Sequence, residues 1–328
     1  MLLFAQPDPL LVLLLAFVLD LAFGDMERVF RYIPHPVVLA GSAIAFFDRR
    51  LNRAARSDRV RRLRGIFVVT ILALAAAALG CVANVYVTIV HAGWAIDALI
   101  VAVLLAQRSL FEHVASVAQA LQSGGVAAGR QEVAKIVGRD PESLDEHGVA
   151  RAAIESLFEN FSDGVMAPAF WYLVLGLPGI FVYKVSNTLD SMIGHRSPKY
   201  LYFGWAAARF DDALNWIPAR LTGVLICLAA LVLPETKSIS ALKAMIRDAR
   251  KHRSPNAGWP EAAAAGALGL ALGGPRRYAG TNLPEPWLGD GSARATVADI
   301  GKAMQLYAAS AACLALTVLI MAAARRYF

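Results

Sequence analysis

Charged residues are scarce in this chain of 328 residues. They make up 17% of it, whereas about 25% is usual for a soluble domain. Hydrophobic residues account for 57%, and the mean hydropathy is +0.51. So little charge leaves much of the surface without groups that favour water. The composition therefore argues against a water-soluble enzyme and favours a protein that is partly surrounded by lipid.

Cysteine is scarce as well, and several familiar catalytic motifs are missing. Cys81, Cys227 and Cys313 each stand alone in an apolar run, which excludes a CxxC metal or redox site and indicates a packing role. The chain has no GxxxxGK[ST], HExxH or GxSxG motif. These absences exclude a P-loop nucleotide site, a zinc site of the HExxH type and the nucleophile of an α/β-hydrolase.

Long apolar runs recur along the chain and predict membrane helices. A span needs about 20 apolar residues, and the runs at 66–90 and 303–323 reach that length. Most of the others are shorter or contain Pro or Gly, which is typical of re-entrant or interfacial segments. No Lys or Arg precedes the first run, so we expect a retained helix there rather than a cleaved signal peptide. The six runs are 10–23, 66–90, 94–106, 165–183, 214–233 and 303–323.

Positive charge is concentrated in the segments between these runs. The net charge is +7, and eight Arg lie between Arg49 and Arg64 with only Asp58 to oppose them. A basic stretch beside a membrane span is typical of the cytoplasmic side, where anionic lipid headgroups are its natural partner. No nucleic-acid fold signature accompanies it, which argues against nucleic-acid binding. We therefore expect a multi-pass protein of the cell (inner) membrane with a cytoplasmic active face.

These patterns predict an all-α fold, a polytopic membrane helical bundle with re-entrant or interfacial helices and a helical cytoplasmic insertion. The insertion covers residues 108–164, and it is broken at Gly124-Gly125 and at a turn over 138–141. No internal repeat is present, so we expect one membrane-embedded domain over residues 1–328. Polar residues are dense in 151–220 and in 254–261, where we expect the active site.

Three acids are spaced four residues apart just before an apolar run. Glu155, Glu159 and Asp163 would share one face of a helix. One interpretation is a solvated acidic face. The other is a Mg²⁺ site, because this hard cation prefers oxygen ligands. The adjacent run 165–183 favours the second, since carboxylates at a membrane boundary are costly unless they are paired or bound to metal.

The stretch from 183 to 199 combines an amide, an acid and several cations. Asn187 and Asp190 are three residues apart on one helical face, and Lys184 lies three residues before Asn187. Arg196 and Lys199 follow, and either side chain suits a phosphate or a carboxylate.

A further acidic group follows at 211–215. Asp211, Asp212 and Asn215 resemble the Asp-rich metal sites of enzymes that handle diphosphates, and Arg209 and Arg220 bracket them. The aromatic residues of this region predict either an interfacial belt or the wall of a pocket for a large flat ligand. They are Tyr200, Tyr202, Phe203, Trp205 and Trp216.

Two histidines and one turn complete the candidates. His195 fits either a general base or a hydrogen-bonding residue at a helix end. His35 lies between two prolines. Residues 254–261 predict a tight turn that leads into a helix with Pro260 in its first turn.

Taken in order, these stretches resemble the CobD/CbiB family of cobalamin biosynthesis proteins, the adenosylcobinamide-phosphate synthases. The resemblance runs over nearly the whole chain, and the ordered set is far more specific than any one stretch. The matching stretches are 35–37, 136–140, 151–156, 159–160, 162–164, 187–192, 203–209, 211–212, 215–220 and 254–261.

The resemblance implies an ATP-dependent amide ligase. Family members join adenosylcobyric acid, a corrinoid, to (R)-1-amino-2-propanol or its O-phosphate, so ATP and Mg²⁺ are the expected cofactors. The residues to which the resemblance gives a catalytic role are Glu155, Glu159, Asp190, Asp211 and Asp212. Those given a substrate-binding role are His35, Asn160, Lys184, Asn187, His195, Arg196, Arg209, Asn215, Arg220 and Asn256. The expected Mg²⁺ ligands are Glu155, Glu159, Asp163 and Asp211.

Two other functions fit parts of the sequence. A membrane prenyl or phosphoalcohol transferase is indicated by the spacing of Asn187 with Asp190 and of Asp211-Asp212 with Asn215, although neither Asp pattern is complete. A transporter is indicated by broken helices and intramembrane charge. The sequence leaves open which amine is used and whether the chain forms a homo-oligomer.

Overall fold

The structure is a computed structural model that describes residues 8–26, 30–137, 141–278, 281–283 and 285–327. Helices dominate, which confirms the prediction of an all-α fold. They are α1 (Pro9–Phe23), α2 (Pro36–Leu51), α3 (Asp58–Ile89), α4 (Gly93–Leu104), α5 (Gln107–Val133), α6 (Glu146–Phe161), α7 (Ala167–Ile193), α8 (Trp205–Leu214), α9 (Trp216–Ala229), α10 (Ser238–Asp248), α11 (Gly258–Leu268) and α12 (Val297–Tyr327).

Several helices are built to cross a membrane. Within the described residues, four helical stretches are long and apolar enough to do so: Asp58–Ile89, Gly93–Val133, Glu146–Ile193 and Val297–Arg325. The helices α1 and α9 are apolar but shorter. The prediction of a polytopic membrane protein is therefore confirmed, and the two full-length runs fall inside α3 and α12.

Glycines break two of the longer helices. Gly125 in α5 and Gly176 in α7 both have a φ of 66°, a conformation that side chains with a Cβ rarely adopt. The first confirms the predicted break at Gly124-Gly125. The second, two residues before Pro178, gives the run at 165–183 the broken path that its Gly and Pro residues predict. Residues 138–140 of the other predicted turn lie outside the described residues.

Backbone contacts divide the chain into two compact units. Unit 1 comprises residues 1–105 and 167–215, and unit 2 comprises residues 106–166 and 216–328. The single domain over residues 1–328, with 108–164 as its insertion, stays a prediction.

The core of unit 1 forms where α2, α3, α7 and α8 meet. Its buried members are Ile44, Val68, Val69, Leu189, Ile193, Phe203 and Ala207. A glycine allows α3 to approach the backbone of Phe203 closely, because a Cβ on Gly65 would lie 1.9 Å from the carbonyl oxygen of Phe203. Phe203 is therefore a core residue, and the prediction that it belongs to an interfacial belt or a pocket wall was wrong.

Unit 2 is built around the alanine-rich α11, whose residues from Pro260 to Ala267 are all buried. The segment after it differs from the loop predicted at 275–300. It contains two short antiparallel pairs, β1 (Leu272–Gly273) with β4 (Trp287–Leu288) and β2 (Arg276–Tyr278) with β3 (Thr281–Leu283). The helix α12 already begins at Val297.

Candidate functional site

In unit 1, α7 and α8 bring a buried acid and two polar partners together. Asp211 is 7% exposed, and the Nδ2 of Asn215 donates to its Oδ2 at 2.9 Å. The hydroxyl of Tyr183 donates to the Oδ1 of Asn215 at 3.0 Å, which fixes the orientation of the amide. The predicted pair Asp211 and Asn215 is thus held in place from α7 by Tyr183, a residue that the sequence did not single out.

Other carboxylates lie near Asp211. Burial, and then the charge of Asp190, raise the pKa of Asp211 to about 8, and the charge of Asp212 acts in the same direction. Asn215 and Asn187 oppose this rise through hydrogen bonding. The Oδ1 of Asp211 is itself buried, without a hydrogen-bond partner of normal geometry among the described residues. A buried oxygen in this state is suited to a cation or a donor from a ligand.

Two arginines flank this acid cluster. The Nη2 of Arg209 lies 2.7 Å from the Oδ2 of Asp212. Burial raises the pKa of Asp212, and the charges of Arg209 and Arg196 oppose that rise. The acids Asp190, Asp211 and Asp212 and the two arginines therefore form one group, as their clustering in the sequence predicts.

The loop that carries Arg196 is fastened through its backbone. Arg61, only 8% exposed, donates to the carbonyl oxygen of Lys199, and its Nε donates to the Oδ1 of Asn52 at 3.2 Å. The Nδ2 of Asn52 donates to the same Lys199 carbonyl at 3.2 Å. His195 of this loop is exposed, and its side chain makes no hydrogen bond within the described residues. Its proposed role as a base stays a prediction.

His35 begins α2. The backbone N–H of Val37 donates to its Nδ1 at 3.2 Å, and its Nε2 lies 3.3 Å from the carbonyl oxygen of Val103. These contacts fit a neutral imidazole with the proton on Nε2. Burial, opposed by the Val103 contact and aided by the charge of Lys184, lowers the pKa of His35. His35 therefore caps a helix close to Lys184, and substrate binding by either side chain stays a prediction.

The aromatic residues after this loop divide between surface and core. Trp205 is 42% exposed, and the guanidinium of Arg62 lies 4.9 Å from its ring centroid. Tyr200 accepts from the Nζ of Lys199 at 2.6 Å and donates to Asp48 at 3.1 Å. Phe203 is buried in the core, and Tyr200 packs against it.

In unit 2, the three acids predicted to share a helical face have different surroundings. Glu155 is 3% exposed, and its Oε1 accepts from the backbone N–H of Gly273 at 2.8 Å. Glu159 is exposed, as is Asn160, whose Nδ2 donates to the Ser156 carbonyl at 2.9 Å. Asp163 is half-buried in a turn of π-helix over Ser162–Met166. Glu155 therefore holds β1 in place through this hydrogen bond.

The described residues contain no cluster of three or more His, Cys, Asp or Glu side chains that could hold a metal ion by itself. Mg²⁺ sites often use only one or two carboxylates and complete the coordination with phosphate oxygens and water. Asp211, with a buried oxygen lacking a donor and a second carboxylate nearby, fits such a site. The ligand roles predicted for Glu155, Glu159 and Asp163 stay predictions.

A second polar group in unit 2 surrounds Arg220. Its guanidinium lies 4.2 Å from the ring centroid of Trp216 and 4.6 Å from that of Trp259. Its Nη1 donates to the Trp216 carbonyl at 2.5 Å and to the Oδ1 of Asn256 at 3.3 Å. Arg250 lies close enough for its charge to act on Arg220. A guanidinium fixed in this way presents its remaining N–H groups in one orientation, which suits a carboxylate or a phosphate.

The segment before α11 folds as its sequence predicts. The Oγ of Ser254 accepts from the backbone N–H groups of Asn256 and Ala257, both at 3.2 Å. Glu261 follows Pro260 and is 2% exposed, and its Oε1 lies 3.8 Å from the Nε2 of His252. This turn buries Asn256 beneath Arg220. The sequence pointed to Arg220, to Asn256 and to the segment 254–261 that contains Trp259, but it did not single out Arg250.

The chain is similar to known proteins over nearly its whole length. A family model described as CobD/Cbib protein matches residues 13–307. The Cobalamin biosynthesis protein CobD of Rhizobium meliloti (strain 1021) is 48% identical, over 96% of this chain and 97% of that protein. Proteins of the same name from Sinorhizobium fredii (strain NBRC 101917 / NGR234) and Rhodobacter capsulatus are 50% and 46% identical, each over 90% of this chain and 92% of the relative. No solved structure matches. Because the family model covers most of the chain and these relatives are 46–50% identical over at least 90% of it, this chain belongs to the CobD/CbiB family of cobalamin biosynthesis proteins.

Proposed function

We propose that this protein is an ATP-dependent amide ligase, an adenosylcobinamide-phosphate synthase. It joins adenosylcobyric acid to (R)-1-amino-2-propanol or its O-phosphate, and it acts at the cytoplasmic face of the inner membrane. Family membership supports a role in cobalamin biosynthesis. The observation that supports an ATP-dependent ligase reaction is the group around the buried Asp211, in which carboxylates and arginines meet as phosphoryl chemistry requires.

The reaction has two steps. A carboxylate is a poor acceptor for an amine, so its oxygen first attacks the γ-phosphorus of ATP, which forms an acyl phosphate and releases ADP. The neutral nitrogen of the amine then attacks the acyl carbon. A C–N bond forms, the C–O bond to phosphate breaks, phosphate leaves and the nitrogen loses a proton. Both steps need cationic groups around phosphate oxygens.

The residues of unit 1 suit the nucleotide. We assign Asp211 and Asp190 as the carboxylates that would hold Mg²⁺, which when bound neutralises charge on the phosphates. Arg196 and Arg209 would contact phosphate oxygens. Asp212 keeps Arg209 in position through their contact at 2.7 Å. Asn187 and Asn215 orient the acid, and Lys184 adds a further positive charge on α7.

The residues of unit 2 suit an anionic group of a substrate. Arg220, stacked between two indole rings and oriented by Asn256, would bind a carboxylate or phosphate oxygen pair. Glu159 and Asn160 are exposed on α6 and are assigned to substrate contacts. We keep Glu155 as a candidate catalytic residue, although its contact with Gly273 already gives it a positioning role.

The test is amide formation by membranes that contain the protein. Membranes receive adenosylcobyric acid, aminopropanol or its phosphate and Mg-ATP, and the product amide is sought by mass. We expect amide and ADP in equal amounts. No amide with either amine would contradict the proposal. Consumption of an isoprenoid diphosphate would indicate a transferase instead, and ATP-independent uptake of a corrinoid into vesicles would indicate a transporter.

A matched pair of variants links the activity to the site. Asp211→Asn removes the charge of the buried acid, whereas Asp290→Asn makes the same change at a carboxylate that is 77% exposed. We expect the first variant to lose amide formation and the second to keep it. Equal activity of both variants would remove Asp211 from the reaction.

A further inference from the structure

The helix α10 is held firmly against α11 by one of its faces. Ala241, Ala244 and Met245 are buried on that face. Gly266 of α11 permits the close packing, because a Cβ there would lie 2.3 Å from the Ser240 carbonyl oxygen. The backbone N–H of Lys237 also donates to the Ala267 carbonyl at 3.0 Å. The position of α10 within unit 2 is therefore fixed.

The opposite side of α10 carries a stripe of exposed apolar side chains. Ile239, Leu242 and Ile246 are 72%, 45% and 66% exposed. Their spacing of three and four residues places them in one row along the helix. Three large aliphatic side chains in a row on a short surface helix form a contact surface for a partner.

Positive charge borders this stripe. Lys243 and Arg247 each follow a stripe residue by one position, and both are exposed. From 237 to 253 the sequence has six Lys or Arg and a single acid, Asp248. That acid is 1% exposed, and it accepts from Arg247, Lys251 and the backbone N–H of Gly289. Arg247 also pairs with the exposed Asp290 at 3.0 Å, and Lys243 with the remaining Lys and Arg gives the outer surface of the segment a net positive charge.

The helix that precedes α10 also has exposed apolar side chains. Leu221, Val224 and Leu228 of α9 are 38%, 44% and 48% exposed, and Leu231 and Val232 after it are 67% and 73% exposed. In a membrane protein, such a surface faces lipid. An apolar helix with exposed aliphatic side chains thus contacts α10 within the same unit.

We propose that α10 lies in the membrane interface and binds anionic phospholipids. The stripe enters the boundary between headgroups and acyl chains, while Lys243 and its basic neighbours contact headgroup phosphates, as in other amphipathic helices of this composition. A second copy of the chain fits this surface less well, because the flanking charges of two copies would repel each other. This binding is independent of the ligase reaction.

The test places an environment-sensitive NBD probe on neighbouring positions of the full-length protein. Cys81, Cys227 and Cys313 are first replaced by Ala. Leu242→Cys then reports on the stripe, and Lys243→Cys reports on the adjacent charged row. Leu316→Cys, 54% exposed in the apolar α12, gives the signal of a lipid-facing site. Labelled proteins are placed in nanodiscs of phosphatidylcholine alone or with an equal part of phosphatidylglycerol.

We expect the probe at 242 to show blue-shifted emission and quenching by nitroxide-bearing lipid, as at 316. The probe at 243 should be quenched by aqueous iodide instead. If iodide quenches both positions equally, the stripe faces water and the proposal fails. A blue shift at 242 that neither agent quenches would indicate a protein partner, which also overturns it. If the 242 variant does not fold, Ile239→Cys gives the same reading.

Phosphatidylglycerol tests the headgroup part of the proposal. We expect it to increase lipid quenching at 242, and we expect that increase to be lost when Lys237 and Lys243 are both replaced by Gln. Equal quenching in the two lipid mixtures would overturn recognition of anionic headgroups. Amide formation by the same nanodiscs is a separate readout, so failure of this inference and failure of the proposed function can be told apart.

Discussion

Asp211 of unit 1 and Asp248 of unit 2 are both buried aspartates near a helix end, and their surroundings are opposite. Asp248 accepts from Arg247 at 2.7 and 2.8 Å, from Lys251 at 2.7 Å and from Gly289 at 2.9 Å. Hydrogen bonds from Arg247, which outweigh burial, hold the pKa of Asp248 well below its usual range. Asp211 accepts from the Asn215 amide at 2.9 Å and has other acids nearby, and its pKa rises.

The difference separates a structural acid from a candidate functional one. When both oxygens of a buried carboxylate contact cations, the protein itself satisfies the charge and the hydrogen bonds of that group. These contacts stabilise the ionised form of the carboxylate. A buried carboxylate beside other carboxylates keeps capacity for a ligand and lowers stability when ionised. We therefore assign Asp248 to the framework of unit 2 and Asp211 to the chemistry of unit 1.

The largest effect that this comparison predicts is a loss of activity when Asp211 is replaced. Asp211→Asn should lower amide formation by at least about 100-fold, the size expected when a group that positions transition-state charge is lost. Asp248→Asn should lower activity only as far as it lowers the amount of folded protein. The measurement is the amide yield per amount of folded protein, and size exclusion chromatography in detergent gives the amount that is folded. Equal specific losses in the two variants would break the comparison.

The pH dependence of stability is the next largest effect. The pKa of Asp211 is raised in the folded state to about 8, above the value of about 3.9 for an unfolded chain. The native state then holds the proton more tightly, so the free energy of unfolding falls as pH rises from about 4 to about 8. Wild type should therefore melt at lower temperatures as pH rises from about 5 to 9, relative to Asp211→Asn. Parallel melting curves would count against the raised pKa.

Asp248→Asn should destabilise unit 2. The amide keeps one acceptor oxygen and places an NH₂ donor where the second oxygen met a cation, so we expect a loss of about 2 kcal/mol, as when a buried charged hydrogen-bond network is broken. The pKa of Asp248 is lowered, so its contribution is present above the unfolded pKa of about 3.9 and fades as pH falls. Unfolding by denaturant at neutral and acidic pH measures both. A loss of stability that does not shrink on acidification would contradict this account.

Replacing Arg220 by Lys sharpens the comparison within unit 2. The charge remains, but the planar group between Trp216 and Trp259 is lost, which should weaken substrate binding by about 0.5–1 kcal/mol. We expect a rise in KM for one substrate with little change in kcat, from initial rates at varied concentration. Trp259→Phe keeps an aromatic surface and should have a smaller effect. A fall in kcat alone would argue against a binding role.

The smallest effect is expected at Asp290. It pairs with Arg247 at 3.0 Å, but it is 77% exposed, and solvent screens ion pairs at the surface. Asp290→Asn should therefore leave stability nearly unchanged in the same denaturant experiment. A loss as large as that of Asp248→Asn would mean that the Arg247 pair depends on both acids.

The helices were the part of the fold that the sequence predicted well. Apolar runs located α3 and α12, because a span must satisfy its own backbone hydrogen bonds and this leaves few other structures. Gly125 and Gly176 marked real breaks, since both have a φ that favours glycine. The pairing of β1 with β4 was missed, because a ladder of two residues leaves no periodic pattern to read.

The candidate site was predicted less completely. Clustering along the chain was enough to group Asp211 with Asp212, since they lie on one helix. It was not enough for Glu155, whose partner Gly273 is 118 residues away. Long-range contacts of this kind depend on tertiary packing and leave no local signal. The same holds for Trp259, which meets Arg220 only after α9 and α11 have packed.

The clamp formed by Arg61 and Asn52 has a consequence for how this family can change. Both side chains donate to the carbonyl oxygen of Lys199 and not to its side chain, so these two hydrogen bonds do not depend on which side chains the loop carries. Arg196 and its neighbours can therefore be exchanged by mutation while the loop keeps its place. Variants at Arg196 therefore test its proposed contact with phosphate without displacing the loop.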